Sequence, residues 1–542
     1  MRVISSLPFS SRRRLRSMPR LRWMTCLALT LIACSGMMHA QITSTITNPT
    51  ASPTDTPVRM PRLFSSHMVL QRDRPVHLWG WATPGEAVTA SFRGETRTAT
   101  TDELGRWSLY LAPGAAGGPF VLTVAGSLAD TDKLLFDDVL VGDLWLAGGQ
   151  SNMEFEMRKS ATAATDLPAA GNDRIRLLTV NKKAADYPQT DFVGIGWTAS
   201  TPASARDFSA VAWYFAREIE AREHVPVGVI DSTWGGTIAE SWTRLTALGD
   251  DAALAPVFAV RGQMTDHEAT ALLEDKLHDQ QRAAARAAGK PAPQFPWNPM
   301  LDMWAPAMLW NGMIAPLTPF PIRGVLWYQG ESNSALARAP LYERLFETLI
   351  TDWRSQWAEG DFPFLYVQIA NFKSTPQEDW ATIREAQRRT LKLRHTAMAV
   401  TIDIGNPDDV HPTDKVTVGH RLALAARRIS YGEAVEDSGP TLRQTTTEGS
   451  ALRLWFNHAT GLHAQGGALT GFELAGSDGV FHPAQASIEG NPEGSTTAIP
   501  TILLTSAQVA HPVWARYGWA NSPDCHLYNG DGLPASPFTT QP

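Results

Sequence analysis

Five short runs of apolar, strand-forming residues, each ending at small and polar residues, constrain the fold of this chain most strongly. They cover residues 139–147, 227–232, 322–328, 364–370 and 398–404. Stretches of helical length lie between them, at residues 210–222, 342–357 and 382–393. Strands that alternate with helices predict a parallel sheet with helices on both faces. We therefore expect an α/β fold whose polar strand ends meet at one edge, where such sheets bind ligands.

The first run ends at two glycines, and Gln150, Ser151 and Asn152 follow before a helical pattern begins. Glycines allow a sharp turn, and the start of a helix leaves unpaired N–H groups beside the serine hydroxyl. This arrangement presents Ser151 as a nucleophile. A serine between a strand and a helix is also a common helix N-cap, and that alternative stands for Ser151 taken alone.

The fifth run is followed by a loop that contains His411 and two carboxylates, Asp408 and Asp409. A histidine on such a loop is suited to accept the proton of a serine nucleophile. We therefore predict that His411 is the general base. The alternative is an ordinary loop histidine ahead of the helical pattern at residues 413–430.

Acyl transfer also needs hydrogen-bond donors for the oxyanion that forms in the reaction. Candidate donors are the backbone N–H groups of Ser151 and of Gly235 or Gly236, which follow the second run. The side-chain amide of Gln329 or Asn333, after the third run, is a further candidate. Taken alone, the glycine pair is equally consistent with a plain tight turn.

Four motifs resemble those of the sialate O-acetylesterase family, within the SGNH hydrolase superfamily. They occupy residues 149–153, 234–237, 327–333 and 409–412, in the family's order. Residues 63–72 are similar to the family's N-terminal signature, and residues 469–476, 516–521, 527–529 and 532–538 to its C-terminal region. The resemblance extends over roughly residues 60 to 540.

The resemblance implies an SGNH-type, flavodoxin-like fold and an esterase without metal or other cofactor. Such an enzyme removes acetyl groups from sugar hydroxyls through a serine acyl-enzyme, with Ser151 as nucleophile and His411 as base. The superfamily pattern selects Asp408, three residues before the histidine, as the acid. Asp409 matches what this family often carries, and a backbone carbonyl can replace the acid in some members. The usual oxyanion asparagine has no clean equivalent, so Gln329 and Asn333 remain competing candidates.

Charge and motifs exclude several other classes of protein. The net charge is −7, and it becomes −14 without the seven Arg of the first forty residues, which contain no acidic residue. A strongly negative protein is a poor partner for nucleic acid or an anionic membrane. There is also no phosphate-binding loop, no Rossmann fingerprint and no paired-histidine zinc motif.

Residues 1–40 have the features of an export signal. Six Arg between residues 12 and 22 precede an apolar stretch at residues 23–33, which is too short to span a bilayer. Cleavage before Cys34 would follow a lipobox pattern and add a lipid anchor, whereas cleavage after Ala40 would release the protein. We therefore expect a periplasmic or secreted protein, or an outer-membrane lipoprotein.

Turn-forming residues and changes in composition divide the remaining chain into four parts. Residues 41–58 form a linker rich in Thr, Ser and Pro, and residues 59–137 read as a β-sandwich. The esterase domain is predicted at residues 138–431, with a helical insertion at about 250–289. Residues 432–542 form a C-terminal β-rich region.

Two other functions use some of the same features. An SGNH lipase or thioesterase would have the same catalytic groups but an apolar crevice, and a non-catalytic carbohydrate-binding protein would not need them. Polar and aromatic residues around the motifs, and the 19 Trp of the chain, favour an acetylated carbohydrate as substrate. Sialic acid, xylan and xyloglucan all remain open as the sugar.

Overall fold

The computed structural model describes residues 57–129, 132–293, 300–490 and 500–542. The predicted signal segment, Cys34 and the linker up to residue 56 lie outside the described residues. Within the described ranges, no helix combines the length and the apolar character needed to cross a membrane.

The strands are β1 (Val69–Gln71), β2 (Val76–Trp81), β3 (Ala87–Phe92), β4 (Glu95–Thr100), β5 (Arg106–Leu111), β6 (Gly117–Gly126), β7 (Lys133–Gly149), β8 (Asn172–Thr179), β9 (Thr198–Ser200), β10 (Val227–Thr233), β11 (Gly324–Tyr328), β12 (Phe364–Val367), β13 (Thr396–Ala399), β14 (Thr441–Glu448), β15 (Ala451–Asn457), β16 (His463–Ala464), β17 (Phe472–Ala475), β18 (Phe481–Pro483), β19 (Gln485–Glu489), β20 (Thr501–Thr505), β21 (Trp514–Tyr517), β22 (Leu527–Tyr528) and β23 (Phe538–Thr539). The α-helices are α1 (Ser151–Glu154), α2 (Ala163–Asp166), α3 (Pro202–Arg206), α4 (Ala210–Glu223), α5 (Leu245–Gly249), α6 (Ala259–Ala287), α7 (Leu301–Trp304), α8 (Tyr342–Trp357), α9 (Trp380–Thr390) and α10 (Lys415–Tyr431).

The central sheet has the strand order β13-β12-β11-β7-β10-β8-β9. All neighbouring pairs in it are parallel except β8 and β9, which are antiparallel at the edge. The five strands expected from the sequence correspond to β7, β10, β11, β12 and β13. Their spatial order is second, first, third, fourth and fifth, which is the order of flavodoxin-like sheets.

Helices cover both faces of this sheet, as the alternation of side chains along β7 makes clear. The ring of Trp145 packs edge-on against Phe215 of α4, with centroids 4.9 Å apart. Three residues further along, a Cβ on Gly148 would lie 3.4 Å from the Trp353 ring of α8. Odd and even positions of a strand point to opposite faces. Helices α4 and α8 therefore lie on opposite sides of the sheet, so the mixed α/β prediction is correct.

Strands β8 and β9, the last two at one end of the central sheet, have no counterpart in the sequence prediction. Strand β8 contains Asp173, Arg174 and Arg176 and lacks the long apolar run by which the other strands were recognised. The guanidinium of Arg176 is nevertheless buried, because it pairs with Asp138 at 2.5 Å. In the sequence, the charge of Arg176 argues against a core strand. In the structure, an ion pair with a distant residue allows that charge to be buried.

One strand, β7, crosses the predicted boundary at residues 137 and 138. Its first half pairs antiparallel with β6, and its second half forms the centre of the parallel sheet. The buried apolar side chains from Val58 to Ala426 accordingly form a single cluster. Within the predicted helical insertion the structure has α6, preceded by a 3-10 helix over Ala252–Phe258.

The C-terminal region consists of antiparallel sheets with a core of their own. The strand orders are β14-β15-β20-β19 and β18-β17-β21-β23, with β16 and β22 as a separate pair. Their buried side chains form a second cluster between Leu452 and Phe538. The region is β-rich. The N-terminal sandwich and the exact domain limits remain predictions.

Candidate active site

Ser151 lies at the sharp turn between β7 and α1. The carboxyl ends of β7, β10 and β11 are level there, because Gly149 is in register with both Thr233 and Tyr328. Gly149 has φ +127°, and a Cβ at this position would lie 2.2 Å from the carbonyl oxygen of Tyr328. Only glycine fits this turn, and it delivers Ser151 to the edge of the sheet where the strand ends converge.

The structure brings His411 to Ser151 from 260 residues further along the chain. The His411 Nε2 and the Ser151 Oγ are 2.8 Å apart, within hydrogen-bond distance. Burial of the half-buried ring lowers the pKa of His411, and the nearby charge of Lys415 lowers it further. A lowered pKa keeps the imidazole neutral, which is the form that can accept the serine proton.

The two candidate acids have different surroundings. Asp408, the first choice from the sequence, is 82% exposed in its side chain and pairs with Lys373 at 3.3 Å. The Asp409 Oδ1 lies 3.8 Å from the His411 Nδ1 and accepts the backbone N–H of His411 at 2.9 Å. The geometry therefore departs from the superfamily spacing and favours Asp409, although 3.8 Å is longer than a hydrogen bond.

Gly235 lies against the nucleophile, but its N–H is engaged. A Cβ on Gly235 would be 3.1 Å from the Ser151 Cβ. The Gly235 N–H donates to the Oε2 of Glu154 at 2.5 Å, and the other Glu154 oxygen pairs with Lys182 at 2.5 Å. Glu154 therefore occupies one of the donors expected for the oxyanion.

Two other backbone donors near the nucleophile are available. Among the residues that the structure describes, the N–H groups of Ser151 and Gly236 have no protein acceptor. Gly236 has φ +75°, and its carbonyl accepts the indole N–H of Trp304 at 2.7 Å, which anchors the turn. Both N–H groups can donate to a ligand.

The side chains of Gln329 and Asn333 are fully buried and bonded elsewhere. The Gln329 amide donates to the Thr237 carbonyl at 3.1 Å and to the Asn333 Oδ1 at 2.7 Å. The Asn333 amide donates to the Oε2 of Glu240 at 2.8 Å. Both side chains thus hold the third loop from inside the protein. The amide of Gln329, which the sequence offered as a side-chain donor for the oxyanion, already donates to two protein acceptors.

Sequence reasoning did not assign roles to Asn152, Glu154 or Lys415, which are important neighbours of the nucleophile. Asn152 and Glu154 follow Ser151 in the first motif, and Lys415 begins the helix after His411. The sequence signal that could have identified these three residues is their closeness in the chain to Ser151 or His411. Lys415 is fully buried, which is rare for a lysine and could not be read from its exposed-looking sequence context.

A cluster that could ligate a metal lies apart from these residues in the chain. Glu436, Asp437 and His458 bring their ligand atoms within 4.8 Å of one another. The His458 Nδ1 already contacts Glu436 at 2.6 Å, and Asp437 pairs with Arg428 at 3.2 Å. These three residues take part in ion pairs, and among the described residues no hydrogen bond or ion pair joins them to Ser151 or His411.

Comparison with known proteins identifies similar chains. The model of a family described as carbohydrate esterase, sialic acid-specific acetylesterase, matches residues 297–428. The sialate O-acetylesterases of Rattus norvegicus and Homo sapiens are each 28% identical and are matched over 89% of this chain and 94% and 92% of their own lengths. The crystal structure of a carbohydrate acetylesterase from Xanthomonas citri is 38% identical, covering 89% of this chain and 99% of its own, with a TM-score of 0.75.

Proposed function

Because this chain belongs to the sialic acid-specific acetylesterase family of carbohydrate esterases, we propose that it removes acetyl groups from sugar hydroxyls through an acyl-enzyme on Ser151. The observation that carries the proposal is the 2.8 Å contact between the Ser151 Oγ and the His411 Nε2. A serine paired with a neutral histidine at a glycine turn is the arrangement that acyl transfer requires.

In the proposed reaction, His411 takes the hydroxyl proton while the Ser151 Oγ bonds to the acetyl carbon. The tetrahedral intermediate then expels the sugar oxygen, which receives that proton from His411. A water molecule, deprotonated by His411, then attacks the acetyl carbon. The bond to the Ser151 Oγ breaks, this oxygen takes the proton back from His411, and acetate is released. Asp409 is the carboxylate we propose to orient and stabilise the imidazolium, because it is the nearer of the two to the Nδ1.

The backbone N–H groups of Ser151 and Gly236 are proposed as the oxyanion donors, with Gly235 as a third. Gly235 becomes available only if Glu154 releases its N–H, and Lys182 can retain the displaced carboxylate because it already pairs with it. Backbone donors suit this role because they are fixed by the fold and need no reorganisation during the reaction.

Partly exposed aromatic rings beside the site support a sugar as the substrate. Trp234 precedes Gly235 and lies under the ammonium of Lys182, 6.0 Å from the ring centroid. Trp304 is bonded to Gly236. Indole faces stack on sugar rings, and the neighbouring charged groups can bond sugar hydroxyls. We propose an exported enzyme acting on acetylated sialic acid or on plant cell-wall xylan or xyloglucan.

The proposal is tested by measuring acetate release from O-acetylated sialic acids, xylans and xyloglucans. Ser151→Ala should lower turnover by roughly 10³-fold or more, as loss of a triad member does. Mass spectrometry should detect an acetyl adduct on the Ser151 peptide of the parent enzyme. Ser204→Ala is a matched control, because Ser204 belongs to the capping box at the start of helix α3, where Thr201 is the N-cap, and its loss should leave turnover unchanged. Turnover in Ser151→Ala close to that of the parent would refute the mechanism.

A further inference from the structure

A single buried side chain, that of Asn152, links the loops that carry the two catalytic candidates. Its amide donates to the Oε1 of Glu331 at 2.6 Å and to the carbonyl oxygen of Val410 at 3.0 Å. Its Oδ1 accepts the ammonium of Lys415 at 2.6 Å. Asn152 directly follows Ser151, and Val410 directly precedes His411. Any movement of Asn152 is therefore transmitted to both members of the pair.

Lys415 is fully buried beneath this junction, and its contacts with two aromatic rings offset only part of the cost of taking its ammonium out of water. Its Nζ lies 4.7 Å from the centroid of the Phe155 ring and 5.5 Å from that of Tyr328. Burial lowers the pKa of Lys415 to about 7. Burial also raises the pKa of Glu331, and the Glu331 Oε2 has no hydrogen-bond partner among the described residues. Such a costly arrangement is expected where a site requires it.

We propose that Lys415, Asn152 and Glu331 form a buried brace that positions Ser151 against His411, with Lys415 as the positioning residue that also places a positive charge behind the imidazole. The inference rests on the proposed roles of Ser151 and His411. Asn152 is the mechanical link, and Lys415 and Glu331 hold it from two sides.

The charge of Lys415 has a defined effect on His411. The charged groups that act on His411 are Lys415, Asp409, Lys159 and Glu154, and burial and the two lysines favour the neutral ring. Those that act on Lys415 are Glu331, Asp414 and Asp409, and all three favour its charged form. Removing the ammonium should therefore raise the pKa of His411 and move the acid limb of the pH–rate profile to higher pH.

The first test compares Lys415→Met, Lys415→Gln and Lys159→Met in the full chain. Lys415→Met should lower kcat about 10- to 100-fold with a small change in KM, because a misplaced nucleophile loses rate more than binding. Its acid limb should move toward the ordinary histidine value near 6.5. Lys415→Gln keeps a donor for Asn152, so it should retain more of kcat while showing the same shift.

Lys159→Met is the matched control. Lys159 also acts on His411, but its side chain is 55% exposed and it pairs with Glu156 at the surface. Solvent screens such a charge, so this variant should keep the kcat of the parent and move the acid limb much less than the Lys415 variants do.

The second test removes the mechanical link. Asn152→Leu keeps the volume but none of the three hydrogen bonds, and it should lower kcat to an extent similar to Lys415→Met. In the double variant the two losses should not add, because both act through one connection. NMR titration of the His411 ring in Lys415→Gln gives a readout that does not depend on turnover.

The outcomes separate the brace from the proposed function. If Ser151→Ala retains activity, the proposed function fails, whereas the His411 titration still tests the electrostatic link. An unshifted His411 titration in both Lys415 variants, or additive losses in the double variant, would overturn the brace. Failure of both Lys415 variants to fold would also contradict it, because the proposal assigns this lysine to the site and not to the stability of the fold.

Discussion

Asp408 and Asp409 are adjacent in the sequence, yet the loop gives their carboxylates different neighbours. Asp408 faces solvent and Lys373, whereas Asp409 caps the backbone N–H of His411 and approaches its ring. An exposed ion pair such as that between Asp408 and Lys373 contributes little to the free energy of unfolding. The two carboxylates thus have different surroundings because their side chains point in different directions.

Asp409→Asn is expected to lower kcat at least about 10-fold, with ~10⁴ as the upper limit known for a triad acid. The loss arises because the amide cannot stabilise the imidazolium that forms during the reaction. Asp408→Asn is the matched control and should stay within a few-fold of the parent. Measuring kcat for both variants with one acetylated substrate shows which carboxylate orients His411. A larger loss in Asp408→Asn would contradict the choice of Asp409 and support Asp408, the residue that the superfamily spacing selects.

The pH dependence of the reaction follows from the environment of His411. Its folded-state pKa is lowered by burial and by Lys415, and only the neutral ring can accept the serine proton. Activity should therefore persist as pH falls through the ordinary histidine value near ~6.5 and decline only below it. The profile of kcat/KM for a small acetyl ester, measured between about pH 4 and 9, tests this. An acid limb centred above ~6.5 would contradict the lowered pKa.

At the scale of elements, the site is a meeting of turns at the ends of β7, β10 and β11. Backbone hydrogen bonds join these turns to one another. The Gln150 N–H donates to the Tyr328 carbonyl at 2.9 Å, and the Trp234 N–H donates to the Gly149 carbonyl at 3.1 Å. The turns therefore fit together with little spare room. Small changes of volume at their contact should act on the chemistry more than on the fold.

Gly235→Ala tests this close fit. The added Cβ would lie 3.1 Å from both the Ser151 Cβ and the Glu154 Oε2, closer than most carbon contacts. We expect kcat/KM to fall about 10- to 100-fold, because displacement of the nucleophile by a fraction of an ångström is costly. Gly249→Ala is a suitable control, since nothing lies within 4 Å of a Cβ there. Unchanged kcat/KM in Gly235→Ala would show that this turn does not limit the reaction.

Across the whole molecule, the C-terminal region supports the histidine loop through a chain of backbone contacts. Arg384 of α9 is fully buried and donates to the carbonyls of Ala370 and Asn521, each at 2.8 Å. The Asn521 carbonyl also accepts the Phe372 N–H at 3.2 Å, and the next residue, Lys373, donates to Pro407 at 2.9 Å. The β-rich region is therefore connected to the loop of His411.

Arg384→Met should destabilise the protein because it leaves buried carbonyl oxygens unpaired. Each such group costs about 1–3 kcal/mol, so a loss of at least ~3 kcal/mol is expected for the carbonyls of Ile369, Ala370 and Ala520, whereas that of Asn521 keeps the Phe372 N–H. The measurement is the shift in thermal midpoint at a fixed scan rate. Arg344→Met, which removes an exposed ion pair with Asp251, is the control and should change the midpoint little. Equal shifts in the two variants would contradict the structural role of Arg384.

Local sequence was sufficient for the elements that set the architecture. The apolar runs predicted all five central strands, and the glycine turn at residues 148–149 placed Ser151 at a strand end. Strand β8 was missed because its charged residues are paired with partners such as Asp138, which lie far away in the chain. The family resemblance is confirmed by the matching family model and by the similar carbohydrate acetylesterase from Xanthomonas citri, and it could be read from the sequence because it rests on short motifs in a fixed order.

The sequence by itself determined the α/β order, the family and the residues that can meet at the sheet edge, because hydrophobic periodicity and glycine turns are local properties of a chain. Only the tertiary structure decided what each side chain contacts. It gave Asp409 the place beside His411, turned Gln329 and Asn333 inward, put Glu154 on the Gly235 N–H and buried Lys415 behind Asn152. These contacts depend on side-chain rotation and on partners up to 263 residues apart, which no local pattern encodes.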